Sequence, residues 1–71
     1  MQDARDMLAE AVGAEPASIP KTAAIGDLAG WDSLAHMRLI AAMEARLARP
    51  LTTEEMLEVT SLETIHKVLS A

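Results

Sequence analysis

Hydrophobic residues recur at helical spacing in two long segments of the chain. In residues 2 to about 13, apolar side chains return every three or four positions, and acidic side chains lie mostly on the other side. Gly13 is typical of the end of a helix. The longest run of this kind extends from Leu34 to about Ala48. The pattern therefore predicts a first helix over residues 2–13 and a second over residues 34–48.

Two capping patterns follow the second segment, which ends at Arg49-Pro50. The residues from Thr52 to Glu55 have the form of a capping box and predict a short helix through about Glu58. The residues from Thr60 to Glu63 repeat this form and open a final helix. Its inward-facing residues are predicted to be Leu62, Ile65 and Leu69, with Val68 flanking them.

A long connection, residues 14–31, separates the first two predicted helices and contains two prolines and two glycines. Loops of this length are unusual in compact domains and are usually either functional or internally anchored. Ile19, Ile25 and Leu28 are spaced to anchor the loop over the helices. We also expect Trp31 to be an anchor.

The loop ends at Gly30-Trp31-Asp32-Ser33-Leu34, where two strong N-cap residue types precede the second helix. Ser33 is thereby placed at the N-terminus of that helix, with its hydroxyl directed outward. Unpaired backbone N–H groups and the helix dipole favour negative charge at this end. A phosphate-linked group attached to this hydroxyl would be stabilised there.

The second helix carries two apolar stripes, whereas a surface helix needs only one. The stripe assigned to the core contains His36, Leu39, Ile40, Met43 and Leu47. The stripe on nearly the opposite side contains Leu34, Met37, Ala41 and Ala45. The second stripe is either a docking surface that begins beside Ser33 or a second buried face in a small bundle.

The charge and the absence of cysteine exclude several classes of function. With 11 acidic residues against 6 Lys and Arg, the net charge of −5 argues against nucleic acid and anionic membranes as partners. Without cysteine there is no disulfide or thiolate metal site, and His36 and His66 have no carboxylates at convincing ligand spacing. No apolar run reaches the roughly 20 residues that span a bilayer. We therefore expect a cytoplasmic monomer without a metal.

The D-S-L tripeptide, the helix after it and the small acidic helical chain together resemble acyl and peptidyl carrier proteins. In that family the serine of D-S-L carries 4′-phosphopantetheine, whose thiol holds the cargo as a thioester. The resemblance implies an all-α four-helix bundle over residues 1–71, one domain with a long first loop and a very short third helix. It also implies that Ser33 is the attachment site, with Asp32 as motif residue and N-cap and Leu34 as the last motif residue.

The G-W-D-S-L form looks more like stand-alone carriers of specialised, polyketide-like or nonribosomal-peptide-like pathways than like the D-L-G-A-D-S-L of fatty-acid synthesis. The family meets its enzymes through the second helix. The docking residues implied here are Leu34, Met37, Arg38 and Ala41. Fatty-acid carriers typically present an acidic second helix, but this one holds two arginines and one glutamate, a net charge of +1. Ala35 stands where that type has an acidic residue.

The resemblance implies three kinds of partner: a phosphopantetheinyl transferase, an enzyme that loads acyl or aminoacyl groups, and downstream transferases or synthases. Two other functions stay open, a helical docking module without a prosthetic group and a carrier of primary fatty-acid synthesis. Ser33 and His36 could also be read as a nucleophile and its base, but no orienting acid or oxyanion hole accompanies them. We therefore predict that the protein is not an enzyme.

Overall fold

Four α-helices are formed by residues 1–70, the part of the chain that this computed structural model describes. They are α1 (Gln2–Val12), α2 (Ser33–Leu47), α3 (Thr53–Glu58) and α4 (Leu62–Ser70), with a 3-10 turn at Pro16–Ser18. The predicted all-α bundle, with its long first loop and short third helix, is confirmed. Gly13 closes α1 in the left-handed conformation, with φ of 74°.

The core is almost purely aliphatic. Helix α1 packs against both α2 and α4, and α4 also contacts α2 and α3. The largest fully buried side chains are Leu8, Leu39, Met43, Val59, Leu62 and Ile65. No polar or charged residue within residues 1–70 is buried, so hydrophobic burial drives the packing of the helices.

The long loop is anchored by side chains and by backbone pairing. Ile19 and Trp31 are buried and Leu28 is half-buried, as expected of anchors. The expectation for Ile25 was wrong, because this side chain is 42% exposed. The chain turns back directly after the pairing of Ala24 with Ser61, and the N–H of Leu28 donates to the carbonyl of Ala24 at 3.1 Å. Leu28, rather than Ile25, therefore reaches the core.

The capping box of α4 lies one residue later than predicted. Ser61 and Thr64 form it, rather than Thr60 and Glu63. The Thr64 N–H donates to the Ser61 hydroxyl at 3.2 Å, and the Ser61 N–H donates to the Thr64 hydroxyl at 3.0 Å. Val68 is buried, whereas the expectation for Leu69 was too strong, because its side chain is half-buried. Contact with three other helices covers a wider face of α4 than one stripe.

Polar contacts, rather than burial, hold the short helix α3. None of its side chains is fully buried. The two terminal nitrogens of the Arg49 guanidinium, Nη1 and Nη2, each donate to the Glu55 carboxylate at 2.8 Å, and Thr52 and Glu55 form the predicted capping box. The Leu51 N–H donates to the Glu44 carboxylate at 2.8 Å. The hydrogen bond from Arg49, followed by that from the Thr52 backbone, lowers the pKa of Glu55 from 4.5 to about 2.

We predict that Glu55→Gln makes the protein less stable near neutral pH and that the difference from wild type disappears in acid. Because the folded-state pKa of Glu55 is depressed, its charge stabilises the fold above its ordinary pKa of 4.5, and this is lost as pH falls towards about 2. Glutamine keeps the capping hydrogen bond but not the charge. Urea denaturation of both proteins between pH 6 and pH 2 measures the difference. A difference independent of pH would contradict the assignment.

Gly30 lies against α1 just before the α2 cap. Its φ is +86°, and a Cβ added there would lie 2.9 Å from the carbonyl oxygen of Val12. Gly26 has a similar φ of +92° but open space around an added Cβ. The two glycines therefore share the left-handed conformation, and only Gly30 also requires a close backbone approach.

We expect Gly26→Ala to lower the free energy of unfolding by about 1 kcal/mol, because alanine is strained in the left-handed conformation. Gly30→Ala should lower it by at least about 2 kcal/mol. The further loss at Gly30 comes from the contact with the Val12 carbonyl. Chemical denaturation of the two variants and the wild type separates the effect of the left-handed conformation from the effect of the contact with Val12. Equal losses would show that the loop shifts away from α1 without cost.

Candidate functional site

Asp32 is the N-cap residue of α2. Its backbone is extended, and its carboxylate accepts a hydrogen bond from the N–H of Ala35 at 2.8 Å. The Asp32 carbonyl accepts from the N–H of His36 at 2.9 Å, so the first turn of the helix is closed. Ser33 is therefore the first residue inside the helix and is not needed as its cap.

The hydroxyl of Ser33 is exposed at the N-terminus of α2 and makes no hydrogen bond to any of residues 1–70. The N–H groups of Ser33 and Leu34 likewise have no acceptor among the described residues. Unpaired N–H groups at this end of a helix stabilise an anion. The local geometry thus fits a phosphodiester joined to the Ser33 oxygen.

Trp31 packs beneath this turn and fixes the ring of His36. The indole is only 5% exposed, and its Nε1–H donates to Nδ1 of His36 at 3.1 Å. The two rings are stacked, with centroids 6.1 Å apart and planes 27° apart. A nitrogen that accepts a hydrogen bond carries no proton, so the neutral His36 ring is protonated at Nε2.

This arrangement does not form a nucleophile and base. The Nδ1 atom of His36 is engaged by Trp31, and within residues 1–70 no hydrogen bond joins His36 to Ser33. A serine nucleophile needs a base within hydrogen-bond reach and a group that orients the base. The hydrolase reading of Ser33 and His36 therefore finds no support in the geometry.

The second apolar stripe of α2 is exposed. Leu34 is 56% exposed and Met37 69%, and Ala41 and Ala45 are also exposed. Of the stripe assigned to the core, Leu39 and Met43 are fully buried, and the other three members are half-buried. Those three are His36, Ile40 and Leu47. Two sides of the helix are thus distinct, as the pattern predicted.

Ala35 is buried, at 4% exposure, although its motif position suggested a surface site. It lies four residues before Leu39 and eight before Met43, on the line of α2 that faces the core. An acidic residue in place of Ala35 would therefore begin on the core side of α2, where burial disfavours a charge.

Two depressions flank the exposed ridge of α2. The first, of about 340 Å³, lies towards α3 and is named here the α2–α3 groove. It is lined by His36, Met37, Ile40, Ala41, Glu44 and Met56. The second, of about 280 Å³, lies towards α1 and is lined by Met7, Glu10, Ala11, Arg38 and Ala42. Met37 and Arg38 therefore border opposite sides of the ridge.

Helix α3 adds two exposed apolar residues that the sequence analysis missed as surface features. Met56 is 41% exposed and Leu57 is 75% exposed. Their signal in the sequence is an apolar pair in a six-residue helix that otherwise contains one threonine and three glutamates. The apolar surface near Ser33 is therefore shared by α2 and α3.

Comparison with known proteins agrees with this geometry. A family model described as a phosphopantetheine attachment site matches residues 2–69. A search of curated proteins finds no match. Within residues 1–70, no helix combines the length and the apolar character needed to cross a membrane. The chain belongs to the phosphopantetheine-binding family, whose non-catalytic carrier domains bear a covalent 4′-phosphopantetheine arm for biosynthetic enzymes.

Proposed function

We propose that Ser33 bears the 4′-phosphopantetheine arm of an acyl or aminoacyl carrier protein. The observation that carries this proposal is the cap by Asp32, which leaves the Ser33 hydroxyl exposed and unbonded at a helix N-terminus. The other serines fit less well. Ser18 donates to the Glu15 carbonyl at 2.7 Å, and Ser61 belongs to the α4 capping box. Ser70 lies at the C-terminal end of α4, where the helix dipole disfavours a phosphate.

The residues around Ser33 bind and orient the phosphodiester end of the arm. Unpaired N–H groups of the first turn face the position of the phosphodiester charge, and Asp32 keeps that turn closed. When the arm is bound, its thiol supplies the thioester chemistry. A phosphopantetheinyl transferase attaches the arm, so Ser33 needs no base of its own.

We predict that co-expression with a broad-specificity phosphopantetheinyl transferase adds one phosphopantetheinyl mass to the wild type and none to Ser33→Ala. Ser18→Ala is the matched control and should be modified like the wild type. Ser33→Ala should stay folded and lose about 1 kcal/mol or less, because Asp32 still caps α2. Intact-protein mass spectrometry measures the modification, and circular dichroism checks the fold. A modified Ser33→Ala protein would contradict the site.

We further propose that the carrier serves a specialised pathway through a dedicated partner. Arg46 pairs with Asp3 at 2.7 Å, and the Glu44 carboxylate accepts from the Leu51 N–H. These contacts leave Arg38 as the exposed charge of α2 near the Ser33 end. A partner that fits this surface has an apolar or acidic face, and a basic face would be repelled.

The docking residues in this proposal are Leu34, Met37, Arg38 and Ala41. The first three are exposed to different degrees along one ridge, and Ala41 continues it. Ala35 has no part in docking because it is buried. A cytoplasmic, monomeric carrier that meets a loading enzyme and downstream transferases or synthases remains our prediction for its setting.

The alternative within this family is a carrier of primary fatty-acid synthesis. We predict that Arg38→Glu raises turnover of the holo-protein with a fatty-acid ketosynthase or malonyl transferase that has a basic docking face. The gain should be about tenfold or less and should shrink as salt rises, because exposed charges are screened.

Arg46→Glu is the matched control, since it makes the same change in charge about 12 Å further along α2, eight residues at 1.5 Å each. It should have little effect on this turnover. Wild-type protein that works as well as a fatty-acid carrier in the same assay would contradict the specialised pathway. Equal gains from both variants would show that only net charge matters.

A further inference from the structure

We infer that His36 is a positioning residue for the arm, an inference that rests on the proposed attachment at Ser33. Its Nε2–H donates a hydrogen bond to an oxygen of the arm where the arm passes from Ser33 into the α2–α3 groove. His36 thereby biases the arm towards the groove rather than towards solvent. The hydrogen bond between Trp31 and His36 makes this possible.

Trp31 holds the ring of His36 in place. The buried Trp31 indole needs an acceptor for its N–H, and Nδ1 of His36 supplies it at 3.1 Å. Stacking of the two rings restricts the imidazole further. The ring is therefore held in one tautomer, with its proton on Nε2, and in one orientation.

The α2–α3 groove is mainly apolar. Four of its six lining residues are apolar, namely Met37, Ile40, Ala41 and Met56. Of the two polar members, Glu44 already accepts the Leu51 N–H at 2.8 Å. His36 Nε2 makes no hydrogen bond to any of residues 1–70. The Nε2–H group of His36 is thus a hydrogen-bond donor beside the groove, and its acceptor has to come from outside the described residues.

His36 lies close to Ser33 along α2. The two residues are three positions apart, about 4.5 Å of rise along α2, less than one helical turn. Helical side chains tilt towards the N-terminus, which brings the imidazole back towards the level of Ser33. A group attached to Ser33 that enters the α2–α3 groove therefore does so beside His36 and Met37, the lining residues that lie three and four positions after Ser33.

The acceptors that such an arm offers are its phosphodiester oxygens and, further along, a hydroxyl and amide carbonyls. A neutral imidazole N–H donates to any of these oxygens. Water at the exposed end of the groove competes with the arm for the imidazole N–H. One such hydrogen bond therefore raises the fraction of molecules with the arm in the groove and does not lock the arm there. The arm should therefore exchange between groove and solvent.

The test compares His36→Asn with His36→Gln in the holo-protein. The asparagine amide reaches the position of Nδ1, so it can accept from Trp31 but cannot donate into the groove. The glutamine amide reaches the position of Nε2, so it can donate into the groove but leaves the Trp31 N–H without its partner. The pair separates the two functions of one imidazole, and Trp31→Phe is a third variant that releases the ring without changing His36.

Two NMR measurements provide the readout. Contacts between the arm and the methyl groups of Met37 and Met56 measure the fraction of arm in the groove. The ³¹P signal and the amide carbonyl signals of the arm identify which oxygen accepts. His36→Asn and Trp31→Phe should show contacts about two- to tenfold weaker than those of the wild type, as expected for a single hydrogen bond, and His36→Gln, which keeps the donor, should retain more of the contacts than His36→Asn.

In wild-type protein, attachment of the arm should also shift the ¹⁵N resonance of His36 Nε2, and this decides the question if a variant fails to fold. An unchanged resonance, or equal arm contacts in all variants, would overturn the inference. Equal losses in His36→Asn and His36→Gln would also overturn it, because they would assign the effect to ring packing. Failure of the proposed attachment is recognised separately, as the absence of the phosphopantetheinyl mass.

Discussion

The hydrogen bond from the Ala35 N–H to the Asp32 carboxylate decides what Ser33 can do. An N-cap residue has its side chain committed to the backbone, whereas the first residue inside the helix does not. Because the Asp32 carboxylate caps the helix, the Ser33 hydroxyl lies at the N-terminus, where negative charge is stabilised, and is not used in a capping hydrogen bond. The close approach of Gly30 to Val12 and the burial of Trp31 hold the preceding loop in the register that this cap requires.

The same turn connects Ser33, the proposed attachment point, to the surface beyond it. Trp31 lies on the core side of the turn and His36 lines the α2–α3 groove, and one hydrogen bond joins them. The ridge of α2, between that groove and the depression near α1, exposes the apolar residues and Arg38. A single helix therefore carries the proposed attachment point, one wall of the groove and the proposed docking ridge, and its buried line of Ala35, Leu39 and Met43 fixes all three.

Helix positions, the short third helix and the cap-and-serine junction could be predicted from the sequence, because spacing and capping are local properties. One local detail failed, the α4 capping box, which lies one residue later than predicted. Other details depend on contacts between segments of the chain. Ile25 and Leu28 were equivalent as candidates until the pairing of Ala24 with Ser61 placed the turn. The burial of Ala35 follows from its spacing to Leu39 and Met43, whereas the partner of His36 is Trp31, the last residue of the loop. No periodicity encodes such a contact.

The way α3 is attached has a consequence for the dynamics of the molecule. Local opening of a segment requires the least free energy where few apolar contacts are lost, and α3 has no fully buried side chain. Local opening of α3 would mainly break the contact of Arg49 with Glu55 and the capping box. Amide protons of α3 should therefore exchange with solvent before those of α1 and α2. One wall of the α2–α3 groove then belongs to a helix that opens without loss of buried side chains, so the groove can widen without unfolding of the core.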